Sequence, residues 1–213
     1  MGQETEAKFY LKDLLKMETR LQNLGAQLIQ PRTHEINLRF DTPNKDFLRG
    51  RRVLRLRQDE AAHLTYKDGT RLEDGAFSRR EIEFIVSDFD AARQFIEALG
   101  YEAVFTYEKF RTTYALPSQG SKPFGDKEDL NMHLMLDELP YGGFIEIEGI
   151  MDRLKPIAIQ IGLNWEAAIP ASYHELFDRV CSTRKLSFRD LTYKNFNDIH
   201  VLPEDLHVIP ADE

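Results

Sequence analysis

The chain has 213 residues, 42% hydrophobic and 30% charged, which is typical of one sizeable globular domain. Its formal net charge of -8 disfavours general affinity for nucleic acid or for anionic membranes. The single cysteine, Cys181, excludes an internal disulfide framework and a multi-cysteine zinc site. There is no apolar run of membrane-spanning length and no signal-peptide pattern. We therefore expect a cytoplasmic protein without nucleic-acid or membrane partners.

Hydrophobic periodicity predicts eight strands with helices between them. The first strand, QETEAKFYL at residues 3–11, is followed by a helix that ends near Gly25. The other strands are predicted at 33–40, 53–58, 63–67, 78–86, 106–116, 133–140 and 143–150, and the other helices at 88–100, 153–163 and 171–185. Strands outnumber the crossover helices that a parallel sheet requires, so we expect an α+β protein with antiparallel pairing. Residues 186–213 read as a polar C-terminal tail extension after a main domain at 1–185.

Charged residues alternate with apolar residues along most of these strands, often as doublets of one sign. The doublets are Glu4 and Glu6, Arg55 and Arg57, Glu81 and Glu83, Lys109 and Arg111, and Glu146 and Glu148. For a single strand, a charged face in water above an apolar face on the core is the ordinary explanation. Like charges at alternate positions repel, however, unless opposite charges or ligands lie nearby. A closed or cupped sheet would instead form a cavity suited to a polyanion carried with a divalent metal ion.

The order of these motifs resembles that of the CYTH-domain proteins of the triphosphate tunnel metalloenzyme family, which includes class IV adenylyl cyclases, thiamine-triphosphatases and inorganic triphosphatases. The family's N-terminal ExExK motif is matched by Glu4, Glu6 and Lys8. Further matches are RFDTP at 39–43, LRLR at 54–57, TYK at 65–67, REIEF at 80–84, EKFRTTY at 108–114, LDELPYGGFIEIE at 136–148 and SYHELF at 172–177. ExExK alone would be weak evidence, but the ordered series over residues 2–180 is specific.

The resemblance implies an eight-stranded antiparallel β-barrel, a tunnel with helices packed outside. It implies a triphosphate held by Arg55, Arg57, Lys67, Lys109 and Arg111, and Mg²⁺ or Mn²⁺ held by Glu4, Glu6, Asp137, Glu146 and Glu148. Glu81 and Glu83 match supporting tunnel carboxylates. By the same resemblance, Lys8 acts beside the metal with Glu4 and Glu6 as the catalytic group.

One departure from the family pattern is Arg39, which occupies a position where many relatives carry an aromatic residue. Arg39 adds a candidate phosphate contact, but it weakens the transfer of a tyrosine-lysine catalytic arrangement known in tripolyphosphate-hydrolysing relatives. Three functions stay open: a metal-dependent triphosphatase acting on tripolyphosphate, thiamine triphosphate or another organic triphosphate; a class IV adenylyl cyclase acting on ATP; and a module that binds polyphosphate or nucleotide without turnover. Hydrolysis leads, because it requires only bound metal and water.

Overall fold

A computed structural model describes residues 2–116 and 132–212, and these residues contain eight strands that form one closed antiparallel barrel. The strands are β1 (Gly2–Leu11), β2 (Gln27–Asp41), β3 (Val53–Gln58), β4 (Ala62–Glu73), β5 (Ala76–Val86), β6 (Glu102–Ala115), β7 (His133–Leu139) and β8 (Gly142–Glu148). Their order around the barrel is β1-β5-β4-β3-β2-β6-β7-β8. The predicted fold, an antiparallel barrel with helices outside, is confirmed.

Helices in the described residues cover the outer surface of the barrel. They are α1 (Leu14–Asn23), α2 (Asp46–Arg49), α3 (Phe89–Ala98), α4 (Met151–Gln160), α5 (Tyr173–Arg184), α6 (Tyr193–Phe196) and α7 (Pro203–Leu206). A short 3-10 helix at Trp165–Ala167 joins α4 to the segment before α5. None of the helices in these ranges is long and apolar enough to cross a membrane.

The two faces of β1 show why the barrel forms. Ala7, Phe9 and Leu11 are almost fully buried in an apolar cluster beneath α1 and α4, which contribute Met17 and Leu154 among others. Successive side chains of a strand point to opposite faces, so the charged ExExK residues point into the barrel. Burial of the outer face therefore fixes which side chains line the interior, since a one-residue shift of the strand would exchange the faces.

Among the strands that extend beyond their predicted bounds, β2 and β4 do so by the largest number of residues. β2 begins at Gln27 instead of residue 33, and its first residues are largely exposed on both faces. β4 continues to Glu73, where its last residues are also exposed. These extensions bury little apolar surface, so they leave no alternating signal in the sequence, and backbone pairing with β6 and β5 defines them instead.

The C-terminal segment packs on the barrel through apolar side chains. Leu191, Phe196 and Leu206 belong to a buried cluster that also includes side chains of the barrel strands and α5. Leu191 pairs with β6 through two backbone hydrogen bonds: its N–H donates to the carbonyl of Thr106 at 2.9 Å, and its carbonyl accepts from Glu108 at 2.9 Å. The residues after 185 thus contribute to the core, whereas the division into a domain at 1–185 and a tail at 186–213 stays a prediction.

Candidate functional site

A group of carboxylates lies where β1 meets β8 in the barrel interior. Glu6 stands directly opposite Glu148 in the ladder, and Glu4 lies on the same face of β1. Burial and the charges of Glu4 and Glu6 raise the pKa of Glu148 to about 7. Like charges placed opposite each other in a sheet are unfavourable, so this arrangement is better suited to a bound cation than to the stability of the empty barrel.

Two cations of the neighbouring strands partly neutralise this acidic group. Lys67 Nζ donates to Glu4 Oε1 at 2.5 Å and lies 3.4 Å from Glu81 Oε1. Arg79 Nη2 donates to Glu6 Oε1 at 2.5 Å. Arg79 was not among the residues predicted from the sequence, although it occupies the same face of β5 as Glu81. Extending the alternation by one step toward the N-terminus of β5 would have found it.

A second group of charges occupies the wall formed by β6, β7 and β8. Asp137 is completely buried and accepts hydrogen bonds from Arg111 Nε at 2.6 Å and from Lys109 Nζ at 3.0 Å. Its Oδ2 also accepts from the hydroxyl of Tyr173, at 2.7 Å. Glu146 Oε2 accepts from Arg111 in turn. Asp137 is thus surrounded by donors, an environment that suits the positioning of cations more directly than metal ligation.

Lys8 lies between this group and helix α5. Its Nζ is 3.3 Å from Glu146 Oε1, donates to the carbonyl of Ala171 at 3.1 Å and lies 4.0 Å from the ring centroid of Tyr173. The start of α5 therefore places a tyrosine beside the ExExK lysine. This position of Tyr173 could not be predicted from the sequence, because nothing in a helical pattern tells which residue reaches a barrel interior.

Arg55 and Arg57 of β3 share one carboxylate partner across the sheet. Arg55 Nη2 is 3.4 Å from Glu83 Oε2, and Arg57 Nη2 is 3.5 Å from Glu83 Oε1. The hydroxyl of Thr65 donates to Glu83 at 2.7 Å. Although burial acts to raise the pKa of Glu83, Thr65 and the two arginines outweigh it and lower that pKa. Glu83 therefore stays ionised and orients both arginines.

Arg39 differs from the other cations of the barrel interior. Its Nη1 lies 3.2 Å from Nδ1 of His174, whose ring stacks on Phe105 with a centroid separation of 4.0 Å. Burial, reinforced by the charge of Arg39, lowers the pKa of His174 to about 4, so the imidazole is neutral at pH 7. Among the described residues, no carboxylate forms an ion pair with Arg39, and the guanidinium is available to an anion.

Glu35 and Asn37 are two further interior residues of β2 that the sequence analysis missed. Glu35 is 1% exposed and its Oε2 is 3.5 Å from Lys109 Nζ. Burial acts to raise the pKa of Glu35, but Lys109 and Arg111 outweigh it and bring that pKa to about 2. Both residues alternate with Arg39 along β2, so the period-2 rule that was applied to the other strands would have selected them here.

The acidic group is the candidate site for a divalent cation. In the part of the chain that the structure describes, no three His, Cys, Asp or Glu side chains are already arranged as a metal-binding group. The donor chemistry nevertheless fits Mg²⁺ or Mn²⁺, which prefer carboxylate oxygens. Buried Glu4 Oε2 makes no hydrogen bond to a described residue, with Arg79 Nη2 3.5 Å away. A cation between Glu4, Glu6 and Glu148 would relieve their repulsion.

Comparison with known proteins identifies the family. The sequence profile of the CYTH domain matches residues 2–153. A protein of Methanocaldococcus jannaschii named "Putative adenylate cyclase" is 24% identical over 173 residues, which cover 81% of this chain and 97% of that protein.

Two solved structures share the fold. One, from Vibrio parahaemolyticus and also called a putative adenylate cyclase, has a TM-score of 0.68 at 20% identity, over 82% of this chain and 97% of that one. The other is a Hippeastrum protein named "Putative adenylyl cyclase" and described as having a dominant triphosphatase activity. Its TM-score is 0.58 at 18% identity, over 82% of this chain and 95% of that one. With its profile match, its barrel and its interior charges, this chain belongs to the CYTH domain family.

Proposed function

We propose that this protein is a metal-dependent triphosphatase that hydrolyses inorganic triphosphate or an organic triphosphate and releases orthophosphate. The observation that carries the proposal is a set of buried basic groups that face the barrel interior and have hydrogen-bond donors without partners. Arg39 lacks a carboxylate partner among the described residues, and buried Nε atoms of Arg55 and Arg79 make no hydrogen bond there. Unsatisfied buried donors are unfavourable, and phosphate oxygens are the acceptors that guanidinium groups bind best.

The chain's own residues divide the task between holding phosphate and holding metal. Arg39, Arg55, Arg57, Lys67, Arg79, Lys109 and Arg111 are the proposed phosphate-binding residues. Glu4, Glu6 and Glu148 are the proposed metal ligands. A divalent cation bound there supplies charge neutralisation on the phosphates and acidifies a bound water molecule.

Asp137 and Glu146 hold Lys109, Arg111 and Lys8 in place in this structure. Fixing these cations in advance lowers the reorganisation needed when charge develops on the phosphates. The metal role that the family resemblance gives to Asp137 and Glu146 stays a prediction. Lys8, held between Glu146 and the Ala171 carbonyl, is the proposed catalytic lysine, placed to neutralise charge on the reacting phosphate.

Hydrolysis is preferred over cyclisation because it needs fewer fixed groups. Water attack requires an activated water and an in-line phosphate, whereas cyclisation also requires an adenosine held with its 3′-hydroxyl near the α-phosphorus. The Hippeastrum relative is named as a putative adenylyl cyclase but is described as having a dominant triphosphatase activity. That description supports the preference for hydrolysis over cyclisation.

The deciding assay supplies tripolyphosphate, thiamine triphosphate and ATP separately, each with Mg²⁺ and with Mn²⁺, and measures orthophosphate and cyclic AMP. Orthophosphate without cyclic AMP is the expected result. Cyclic AMP with pyrophosphate from ATP would instead establish the adenylyl cyclase, and binding without any product would establish the non-catalytic module.

Substitution Glu148→Gln tests the proposed metal group without relying on turnover. Removing one of three neighbouring like charges should raise the melting temperature of the metal-free protein at pH 8 by about 2–4 °C. It should also decrease the stabilisation by Mn²⁺ several-fold, because a ligand is lost. The exposed residue Glu102 on β6 offers the control Glu102→Gln, for which neither effect is expected. An unchanged Mn²⁺ effect in Glu148→Gln would refute the metal assignment.

A further inference from the structure

Asn37 lies on the interior face of β2, among the residues that are proposed to bind phosphate. It is on β2 between Glu35 and Arg39, on the same face of the strand. In the two ladders of β2 it stands directly opposite Arg57 on β3 and Tyr107 on β6. Its side chain is 0% exposed, and neither the resemblance nor the comparisons assign it a role.

Both polar atoms of the Asn37 side chain lack partners. Within residues 2–116 and 132–212, neither Oδ1 nor Nδ2 makes a hydrogen bond. Buried Thr65 of β4, by contrast, donates to Glu83 at 2.7 Å. Burying an amide without hydrogen bonds is destabilising, so the stability of the barrel does not explain this residue. An isosteric apolar side chain would pack at least as well at the same position.

A ligand that satisfies Asn37 must offer an acceptor and a donor at neighbouring points. An ionised phosphate chain offers acceptors only, which suits Nδ2 and leaves Oδ1 without a partner. The opposite residue Arg57 forms ion pairs with Asp59 and Glu83, with Nε 3.0 Å from Asp59 Oδ2, and it donates no hydrogen bond to Asn37. Because no described residue donates to Oδ1, the donor comes with the ligand.

The next inference rests on the proposed function. We propose that Asn37 contacts the substrate: its Nδ2 donates to a phosphate oxygen, and its Oδ1 accepts from an adjacent O–H group. The O–H group is either a water molecule beside the phosphate chain or a hydroxyl of an organic substituent. A neutral amide can do this and an arginine cannot, because a guanidinium has no acceptor. Asn37 thus distinguishes an O–H group beside a phosphate from a second phosphate oxygen.

The test combines ligand binding with the stability of the ligand-free protein. Asn37→Leu replaces the amide with an apolar group of similar size. It should raise the melting temperature by about 2–4 °C, because two unsatisfied buried atoms are removed. The same substitution should weaken tripolyphosphate binding at least tenfold, measured by calorimetry in EDTA and as KM with Mg²⁺. The control Thr65→Val should lower the melting temperature, since it removes a hydroxyl that has a partner.

Comparing tripolyphosphate with ATP identifies the O–H group. An equal loss of affinity for both ligands assigns it to water, and a larger loss for ATP assigns it to a hydroxyl of the nucleotide. Asn37→Ala, which introduces no steric conflict, repeats the binding measurement if the leucine variant does not fold. Variants that bind both ligands as tightly as the wild type, or a leucine variant with lowered stability and unchanged binding, overturn the inference. A wild-type protein that neither binds nor turns over either ligand overturns the proposed function itself.

Discussion

At the scale of single residues, most buried cations of the barrel interior contact a carboxylate, and Arg39 departs from that pattern. Its described polar partner is the neutral ring of His174, held by the stack on Phe105. A guanidinium bound to a neutral acceptor keeps its positive field, whereas one paired with a carboxylate loses most of it. Arg39 is therefore a stronger anion attractor than its paired neighbours.

The neutral state of His174 predicts a pH dependence of stability. Its pKa is about 4 in the folded protein, against 6.5 for the free side chain. Between these values the unfolded chain binds the proton and the folded chain does not. The contribution of His174 to the free energy of unfolding is therefore complete above pH 6.5. As the pH falls toward 4, this contribution decreases by up to about 3 kcal/mol. The charges that face the ring are Arg39, Asp178 and Glu175.

Denaturant unfolding of His174→Phe between pH 4 and pH 7.5 tests this directly. Phenylalanine preserves the stack on Phe105 but cannot titrate, so the difference in the free energy of unfolding between wild type and variant should change across this range. The exposed His200 provides the control His200→Gln, whose pH profile should follow the wild type. Parallel profiles for His174→Phe and wild type would contradict the neutral buried imidazole.

At the scale of elements, the start of α5 contacts side chains of the barrel interior from outside the barrel. Ser172 caps the helix by accepting from the Glu175 N–H at 3.2 Å, and the Glu175 side chain accepts from the Ser172 N–H at 2.7 Å. This capping box fixes the first turn, where Tyr173 and His174 contact Asp137 and Arg39. The cap thereby connects helix stability to the geometry of the proposed phosphate-binding residues.

Replacing the cap should affect both stability and substrate binding. Ser172→Ala should lower the free energy of unfolding by about 1 kcal/mol and raise the KM for tripolyphosphate several-fold. Asp88→Ala is the control, because the Asp88 side chain also accepts from the backbone N–H three residues further on, at the start of α3, and α3 packs on the outer face of β2 and β3. The control should lose similar stability without a change in KM. Equal KM changes in both variants would show that the α5 cap has no particular role.

The elements also differ in how much of them could be predicted from the sequence alone. Alternation along strands predicted the barrel strands and most interior charges, because burial of the outer face leaves a period-2 pattern. The same rule, applied more fully, would have given Arg79, Glu35 and Asn37. Tyr173 and His174 could not be predicted in this way, since their place in the site depends on where α5 packs against the barrel. That packing is a tertiary relation with no local signature.

At the scale of the whole molecule, the described residues form three apolar clusters on the outside of the barrel, and the two largest lie beneath different helices. One contains Trp165, whose ring lies 5.7 Å from that of Phe9 on β1. The other contains Leu206 and Leu191 of the C-terminal segment, together with barrel and α5 side chains. Because the strands between the clusters form one continuous hydrogen-bonded barrel, we expect them to unfold together.

The single tryptophan allows a test of whether the C-terminal segment belongs to the same cooperative unit. Leu206 is 0% exposed, so Leu206→Ala should lower the free energy of unfolding by about 2–5 kcal/mol. Trp165 lies in the other cluster. If folding is cooperative, its fluorescence shows the full decrease in the free energy of unfolding, and far-UV circular dichroism gives the same midpoint. The neighbouring Ile209 is 66% exposed, and Ile209→Ala should change the free energy of unfolding by less than about 0.5 kcal/mol. A Trp165 midpoint that Leu206→Ala leaves unchanged would mean that the segment after 185 unfolds independently, as expected of a separable tail.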